Sequence, residues 1–341
     1  MSSEKQQEQI HILEKIKSAG LVGRGGAEFP TYRKWEFVKA AKGKPKYVVC
    51  NASEGEIGLF KDIQILRDHP EQVFSGMKLA MDYLETKKGY FNMNARYYRE
   101  LHEKLEDIIE EYAKEGYDIK VFREHPSYIG GEETALLNAI EGKRTKPRLK
   151  PPFPAQKGLF GKPTLVHNVE TLFNIAAVEN GTYDGSRFYC LSGEIKHPGV
   201  YHLPADWSSW KVLEATGNEP AFPYFIQIGG SASGEVLNSE QAKEHPVTGA
   251  GSIEVYRMSI KPKDLLLKWL EFYKEESCGK CTPCREGTYQ LYHLVKDSAR
   301  IPWKSITDIL ELLETSSFCA LGKSVPIAIR SYAKNILNKP L

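Results

Sequence analysis

Four of the six cysteines lie in the last quarter of the chain, and their spacing restricts how this part can fold. The segment ESCGKCTPCREGT places Cys278, Cys281 and Cys284 at intervals of three residues, and Cys319 follows 35 residues after Cys284. Three thiolates on one tight loop and one remote thiolate commonly hold a [4Fe–4S] cluster. The surrounding segments carry apolar residues at helical spacing, so we expect a helical bundle that brings the four cysteines together.

Two other interpretations fit the cysteine spacing less well. Structural zinc sites made of four cysteines usually present two separate C-x-x-C pairs, whereas here the second pair is fused to the first. A catalytic C-x-x-C pair has no use for a third cysteine three residues further on. Cys50 and Cys190 stand alone in apolar segments and are predicted to be small core residues. The pattern favours the iron–sulfur cluster.

Length and composition narrow the class of protein. The 341 residues correspond to two or three domains, and 46 Lys and Arg against 44 Asp and Glu leave a formal charge of +2. This balance argues against a dedicated nucleic-acid-binding protein, which has a marked basic excess. No stretch approaches the roughly 20 apolar residues of a membrane span, and the first residues lack the apolar core of a signal peptide. We therefore expect a cytoplasmic location.

Hydrophobic patterning predicts three domains. Three β-like runs, at residues 47–50, 89–92 and 119–122, are separated by helical stretches, which predicts an α/β domain with a parallel sheet. It should include an irregular loop at residues 143–164, where Pro, Gly and Lys are frequent. A small β-rich domain is expected at residues 183–255, and helices from there to the end.

Three glycine-bearing loops in the expected α/β domain carry polar groups: GLVGRGGAEFP, NASEGEIGLFKD and SYIGGEET. Taken singly, they have simpler interpretations: a tight turn, a solvated loop, and ordinary helix capping by Glu132 and Glu133. Adjacent glycines, however, let backbone N–H groups approach a phosphate or a flat ring, and ligand sites in α/β sheets form at the carboxyl ends of strands. The recurrence predicts an organic ligand site, and an iron–sulfur cluster beside it indicates electron transfer between the two.

Six segments together resemble the NADH-oxidising flavoprotein subunit of respiratory complex I and its relatives in NAD-linked hydrogenases and formate dehydrogenases. They are GRGGAEFPTYRKW, NASEGEIGLFKD, YIGGEETALLNAIEGKRTKPRLKPPFPA, GLFGKPTLVHNVETL, ESCGKCTPCREGT and FCALG. The resemblance implies a Rossmann-like α/β domain at residues 1–182 that binds FMN and NADH. It further implies a ubiquitin-like β-grasp domain at residues 183–255 and a C-terminal helical bundle carrying a [4Fe–4S] cluster at residues 256–341.

The resemblance also implies which residues hold the cofactors. FMN would be contacted by Gly23, Arg24, Gly25, Lys34, Asn51, Glu54, Tyr128, Gly131, Glu132, Glu133, Asn168 and Thr171. NAD(H) would be contacted by Gly26, Ala27, Phe29, Phe37, Glu56, Lys150 and Phe153. Glu56 would accept hydrogen bonds from the adenosine ribose, which favours NAD(H) over a 2′-phosphorylated cofactor. The cluster ligands would be Cys278, Cys281, Cys284 and Cys319.

The chain departs from the family pattern at four positions near these residues. Glu28 replaces a glycine of the usual GGAGFP, Ser53 an aspartate of NADES, Gly130 a cysteine of YICGEE, and His167 the first asparagine of NNVET. His167 would lie near the flavin and is a candidate modulator of its potential. FMN binding is expected to tolerate the changes, whereas the β-carbon and carboxylate of Glu28 would crowd and repel the nicotinamide nucleotide.

Three functional hypotheses follow. The first is an NADH dehydrogenase (diaphorase) module, in which a hydride passes from NADH to FMN and two single electrons then pass to the cluster. No proton-transfer catalyst is implied. The second, motivated by Glu28 and Ser53, is an FMN and iron–sulfur relay or structural subunit that has lost NADH binding. The third is a zinc-stabilised nucleotide-binding module without redox function.

The expected partners follow from the resemblance as well. The chain lacks the [2Fe–2S] and ferredoxin domains that some relatives carry fused. We therefore expect a separate thioredoxin-like [2Fe–2S] subunit and a larger iron–sulfur or catalytic subunit, of hydrogenase, formate dehydrogenase or complex I type. Nucleic acid is not an expected partner.

Overall fold

The computed structural model describes residues 3–339 and residue 341, with side chains from residue 11 onward. The described residues leave out Met1, Ser2 and Pro340. Met1 and Ser2 belong to the predicted first domain and to the segment predicted to lack a signal peptide, and Pro340 belongs to the predicted last domain. The chain forms two compact units. One consists of the residues up to Gly55 together with Phe60–Ser186, and the other of Glu56–Leu59 together with Arg187–Leu341. The predicted further division near residue 255 stays a prediction.

The first unit contains eight helices and four strands in its described part. The helices are α1 (Ser3–Ser18), α2 (Thr31–Ala40), α3 (Lys61–Asp68), α4 (Pro70–Tyr83), α5 (Ala95–Lys114), α6 (Glu133–Ile140), α7 (Pro154–Lys157) and α8 (Val169–Asn180). The strands are β1 (Tyr47–Ala52), β2 (Lys88–Asn94), β3 (Asp118–Glu124) and β4 (Thr164–Asn168).

The four strands form one parallel sheet in the order β3-β2-β1-β4. The three predicted β-like runs are confirmed as β1, β2 and β3. Strand β4 was not predicted, because its five buried or half-buried residues TLVHN run directly into the apolar pattern of α8. Its position beside β1, on the side away from β2, makes the sheet reverse its strand order between β1 and β4.

Helix α5 shows why a strongly charged segment still belongs to the core. Only Tyr97, Leu101 and Leu105 of its 20 residues are buried, and their spacing of four places them on one face. The acidic and basic residues cover the rest of the helix. The amide Asn94 begins the helix by accepting a hydrogen bond from the backbone of Arg96.

The second unit contains a five-stranded mixed sheet and four longer helices. The strands are β5 (Ser186–Gly193), β6 (Gly199–Pro204), β7 (Tyr224–Ile228), β8 (Glu235–Asn238) and β9 (Ser252–Arg257), in the order β6-β5-β9-β7-β8. Short helices α9 (Ser209–Ala215) and α10 (Ser239–Glu244) lie between strands. Strand β9 pairs parallel to β5 and antiparallel to β7, so the last strand in the chain occupies the centre of the sheet.

The remaining helices of this unit are α11 (Pro262–Glu276), α12 (Thr282–Asp297), α13 (Trp303–Ser316) and α14 (Ala320–Asn335). Each buries residues at helical spacing, such as Leu266, Trp269 and Tyr273 of α11, which confirms the predicted helical C-terminal part. Among the described residues, no helix combines the length and the apolar character that a bilayer span requires.

Helices α4 and α8 of the first unit cross at a glycine. A Cβ atom at Gly76 would lie 1.9 Å from the carbonyl oxygen of Leu172, far inside van der Waals contact. Only glycine therefore permits this approach of α4 to the backbone of α8, the helix that follows β4.

We predict that Gly76→Ala destabilises the protein. The clash forces a backbone shift that costs about 3 kcal/mol, offset by about 1 kcal/mol of better helix propensity. The net loss of about 2 kcal/mol should lower the thermal midpoint, measured by circular dichroism, by roughly 4–8 °C. Ser75→Ala, on the same helix, is the control and should leave the midpoint within about 1–2 °C of wild type, as is usual away from special contacts (about 0.5 kcal/mol). Equal midpoints for the two variants would contradict the crossing geometry.

Candidate site at the sheet edge

The predicted FMN residues Asn51 and Asn168 are neighbours at the carboxyl edge of the parallel sheet. They are register partners on β1 and β4, the two strands between which the strand order reverses. Open α/β sheets bind ligands outside the carboxyl ends of strands at such a reversal. Two residues more than a hundred positions apart in the chain therefore meet where a ligand site is expected.

Both asparagines are held in place by hydrogen bonds. The Asn51 amide donates to the carbonyl oxygen of Gly131 at 2.9 Å, which ties the third glycine loop to the end of β1. The Asn168 amide donates to Asp62 at 2.6 Å, and its oxygen accepts from the backbone of Glu170 as the cap of α8. The asparagines orient the loops around the edge, and this leaves the glycine backbone to approach a ligand.

The first glycine loop lies against the start of α8. The backbone N–H of Arg24 donates to the Thr171 hydroxyl at 2.9 Å, and a Cβ at Gly25 would lie only 3.2 Å from the Cβ of Asn168. The Arg24 side chain is buried, its Nε donates to no described acceptor, and it forms no ion pair with any carboxylate of the described residues. A buried guanidinium without an anion is chemically suited to a phosphate group.

Two lysines and two glutamates, all predicted site residues, form one charged group. Lys34 pairs with Glu133 at 3.1 Å, and Lys150 contacts both Glu132 and Glu133, at 2.9 and 3.0 Å. Burial alone would raise the pKa of Glu133, but the charges of Lys34 and Lys150 outweigh it and hold the pKa below its ordinary value. Glu132 also caps α6, so the simpler capping interpretation holds for Glu132 and not for Glu133.

A set of charges lies beneath the edge, in which Lys61, Asp62 and Glu170 are buried and Glu54 is partly buried. Lys61 pairs with Asp62 at 2.6 Å and with Glu170 at 3.1 Å, and both carboxylate oxygens of Glu54 accept from the Asp62 backbone. Desolvation and the charge of Asp62 raise the pKa of Glu54 to about 7. The nearby carboxylates outweigh desolvation and raise the pKa of Lys61. Charged residues at buried positions of α3 are the signal that sequence reasoning missed.

His167 is buried behind the edge. The indole N–H of Trp35 donates to its Nε2 at 2.8 Å, so this nitrogen carries no proton. Burial and the charge of Lys34 hold the pKa of His167 well below its ordinary value. The imidazole therefore stays neutral, and any influence on a flavin would come from its dipole and not from a change of charge.

The residues predicted to contact the nicotinamide nucleotide differ in accessibility. Phe29, Phe37 and Phe153 are 43%, 56% and 51% exposed, unusual values for aromatic side chains. The rings of Phe29 and Phe37 lie 6.4 Å apart. Glu56, in contrast, is buried in the second unit, where its carboxylate accepts from the backbone of Ala232 at 2.9 Å and from the hydroxyl of Ser233 at 2.8 Å.

Glu28 has an unusual backbone conformation. Its φ of +50° is in the left-handed region, which glycine adopts without strain and glutamate does not. This explains in physical terms why a glycine suits the position, and it shows that the substitution is accommodated without unfolding the loop.

The four clustered cysteines meet at two helix starts in the second unit. Cys281 directly precedes α12, Cys284 lies in its first turn, and Cys319 directly precedes α14. Burial raises the pKa of the Cys284 thiol to about 12, against the opposing hydrogen bond with Ser277. The other three cysteines raise it further, so their sulfurs are within electrostatic reach. A Cβ at Gly322 would lie 3.1 Å from the Cβ of Cys284, which shows how closely α14 approaches α12.

One sulfur of the cysteine site accepts a backbone hydrogen bond. In the described part of the chain, no three His, Cys, Asp or Glu side chains converge tightly enough to hold one metal ion. The backbone N–H of Phe318 donates to the sulfur of Cys281 at 3.5 Å, the kind of bond that tunes an iron–sulfur site. Cys50 and Cys190 are fully buried on β1 and β5, which confirms them as core residues.

We predict that Glu54 makes stability depend on pH. Its folded pKa of about 7 lies above the ordinary value of 4.5, so the folded chain resists ionisation that the unfolded chain undergoes. Wild type should therefore lose stability relative to Glu54→Gln as pH rises from 4.5 to 7, by on the order of 3 kcal/mol, and the loss should persist above pH 7. Urea unfolding of FMN-free protein at about pH 5 and pH 8 measures this difference.

The control is Glu71→Gln, which removes an exposed carboxylate from α4. Its difference from wild type should be the same at both pH values. A difference between wild type and Glu54→Gln that fails to grow with pH would contradict the buried environment of Glu54.

Comparison with known proteins assigns both parts of the chain. Residues 16–177 match the family described as the Nuo51 FMN-binding domain, and residues 264–338 match the NADH-ubiquinone oxidoreductase-F iron-sulfur binding region. The solved NAD+-reducing [NiFe]-hydrogenase in its H2-reduced state is similar with a TM-score of 0.88 and 30% identity, over 96% of this chain and 61% of that one.

Curated relatives match over most of their length. The F 2 subunit of the NADH-quinone oxidoreductase of Rhizobium meliloti is 36% identical over 95% of this chain and 86% of the relative. The corresponding F subunit of Streptomyces coelicolor is 33% identical over 95% of this chain and 80% of the relative. At this identity and coverage, the chain belongs to the family of the NADH-quinone oxidoreductase F subunits.

Proposed function

We propose that this chain moves electrons between NAD(H), a bound FMN and a [4Fe–4S] cluster as the NADH dehydrogenase module of a larger oxidoreductase complex. The carrying observation is the convergence of the predicted FMN residues at the strand-order reversal, at the register pair Asn51 and Asn168. When bound, FMN accepts two electrons together from NADH and releases them singly to the cluster. The contribution of the chain is to bind, orient and shield the reacting groups.

The edge site offers FMN both a cradle and a counter-charge. Gly131 leaves its backbone accessible, because a Cβ there would meet only the Cβ of Ser53, at 3.8 Å, and the glycine loop at residues 23–26 packs closely against Asn168. Arg24 would pair with the phosphate, since its buried guanidinium has no described carboxylate partner. Thr171 and Asn168 hold the loop against α8 and so fix the phosphate end.

The exposed phenylalanines would stack on the nicotinamide nucleotide. Phe29, Phe37 and Phe153 present about half of their surface to solvent, so their rings are accessible to a ligand. Lys150, paired with Glu132 and Glu133, would add positive charge for the pyrophosphate. The Glu56 carboxylate would accept from the adenosine ribose only by exchanging or sharing its present donors, Ala232 and Ser233.

The strand order of the second unit supports the β-grasp prediction. Its sheet begins with two neighbouring strands, β5 and β6, continues through helix α9, and places the last strand in the centre beside the first. We also infer a [2Fe–2S] subunit and a catalytic subunit as partners, because a module of this kind needs a terminal acceptor. The hydrogenase chain is longer than this one, which spans 61% of it.

A relay that has lost NADH binding is the second candidate function. It is favoured by one observation, the glutamate at position 28 in a left-handed conformation beside Phe29. Its carboxylate would repel the nucleotide phosphates. Anaerobic NADH titration decides between the two functions, because only the first predicts bleaching of the flavin band.

We predict that Cys319→Ser separates the two cofactors. The variant loses one of four thiolates and should fall well below about four iron and four sulfide per chain, while FMN content and NADH bleaching of the flavin persist. Cys190→Ser, a buried cysteine of β5 outside the cluster, is the matched control and should keep about four iron per chain. Stoichiometric zinc in anaerobically purified wild type would instead support the zinc hypothesis.

We predict that Glu28→Gly improves the reaction with NADH. Glycine removes the carboxylate, and it adopts a φ of +50° without strain. Removing a repulsion of about 1 kcal/mol between residue 28 and the bound nucleotide should lower the KM for NADH about fivefold with little change in kcat. Steady-state kinetics with ferricyanide as acceptor measure both constants. Glu36→Gln, a charge change on α2, is the control. An unchanged KM would show that Glu28 does not face the nucleotide, and no bleaching in either protein would support the relay.

A further inference from the structure

A carboxylate outside the predicted site residues lies directly behind one of the FMN loops. Glu124 is the last residue of β3 and is only 3% exposed. It therefore lies at the carboxyl end of the edge strand, the end of the sheet at which the ligand site is proposed. Neither the sequence motifs nor the proposed cofactor contacts include it, although a buried carboxylate is costly unless something compensates its charge.

One oxygen of Glu124 is well satisfied. Its Oε2 accepts from the Ser53 hydroxyl at 2.6 Å and from the Asn92 amide at 2.9 Å, and Asn92 also donates to Ser53 at 2.8 Å. Ser53 directly follows β1 and Asn92 lies within β2, so residues from three neighbouring strands meet at the carboxylate. Ser53 is the position at which the family pattern has an aspartate.

The other oxygen faces the third glycine loop. Oε1 accepts no hydrogen bond from any described residue and lies 1.6 Å from the point that a Cβ of residue 130 would occupy. Gly130 is the position at which the family pattern has a cysteine. The carboxylate of Glu124 thus fills the space that a side chain at position 130 would need, and the two departures from the pattern are explained by one residue.

The loop in question carries proposed FMN contacts. Ser53 also contacts the carbonyl oxygen of Gly130 at 3.4 Å, and the neighbouring Gly131 carbonyl accepts from Asn51 at 2.9 Å. Glu132 and Glu133 follow directly. The uncompensated oxygen of Glu124 therefore lies one layer behind the backbone that would hold the flavin.

We propose that Glu124 replaces the acid missing at position 53, and that its charge behind the 129–131 loop lowers the reduction potential of the bound flavin. The inference rests on the proposed function, since it needs FMN at the sheet edge. Glu124 is a positioning residue, because it supports the loop and acts on the flavin through it.

The direction of the effect follows from electrostatics. A negative charge in a poorly screened interior opposes the addition of electrons to a nearby ring. Burial raises the pKa of Glu124 above its ordinary value, and the hydrogen bonds from Ser53 and Asn92 and the charge of His125 offset only part of this rise. Both side-chain partners of Oε2 donate, an arrangement that stabilises the ionised form.

Reductive titration of the FMN-loaded protein against redox dyes tests the proposal. Glu124→Gln keeps the shape and removes the charge, so its flavin potential should rise by about 30 mV, a tenfold change in a two-electron equilibrium. Returning an acid to position 53 in the double variant Ser53→Asp/Glu124→Gln should bring the potential back to that of wild type. The isosteric neutral pair Ser53→Asn/Glu124→Gln should keep the raised potential.

Two comparisons make the outcome decisive. Asp118→Asn removes a carboxylate from the opposite end of β3 and should leave the potential unchanged, because that side chain is exposed and paired with Lys88. If Glu124→Gln alone does not fold, the difference between the two double variants still measures the effect of the acid. Equal potentials in these double variants would overturn the proposal.

Failure of the proposed function has a different signature. Wild-type protein that binds no FMN would contradict the function itself. Wild-type protein that binds FMN and is bleached by NADH, while all Glu124 and Ser53 variants share its potential, would leave the function intact and reject the role of Glu124.

Discussion

The parallel pairing of β1 with β4 is the constraint on which the ligand site depends. Because β4 adds to the side of β1 away from β2, the sheet order reverses there and the carboxyl ends of both strands open onto the same edge. The pairing aligns Asn51 with Asn168, and the helix that follows β4 then reaches the first glycine loop through Thr171. Gly76 lets α4 pack closely against α8, the helix that follows β4.

The edge is stabilised by charges that the fold keeps out of water. Lys61 pairs with Asp62 and Glu170, and Lys34 and Lys150 hold Glu133 ionised. Glu54 is less well compensated, and the pKa of its carboxyl is raised to about 7. Such unfavourable carboxylates are typical of functional sites, where binding requirements oppose stability. Glu124, with one unpaired oxygen behind a glycine loop, belongs to the same pattern.

The cysteine site uses a different physical device. Cys281 and Cys319 begin α12 and α14, and helix starts present backbone N–H groups and a positive dipole that stabilise thiolates. The close approach of α14 to α12 requires Gly322, since a Cβ there would meet both Ser317 and Cys284. Sulfurs from two distant segments of the chain are thus brought within electrostatic reach of Cys284.

The sequence by itself determined the local chemistry: the spacing of Cys278, Cys281 and Cys284, the glycine loops, the strands β1 to β3 and the C-terminal helices. These depend on neighbours along the chain, so pattern and spacing suffice to predict them. Only the tertiary structure decided which loops share an edge, because β4 is too short to be recognised and its partner lies over a hundred residues away. It also decided the state of buried charges such as Lys61, Glu54 and Glu124, since desolvation and pairing depend on what packs around a group and not on its place in the chain.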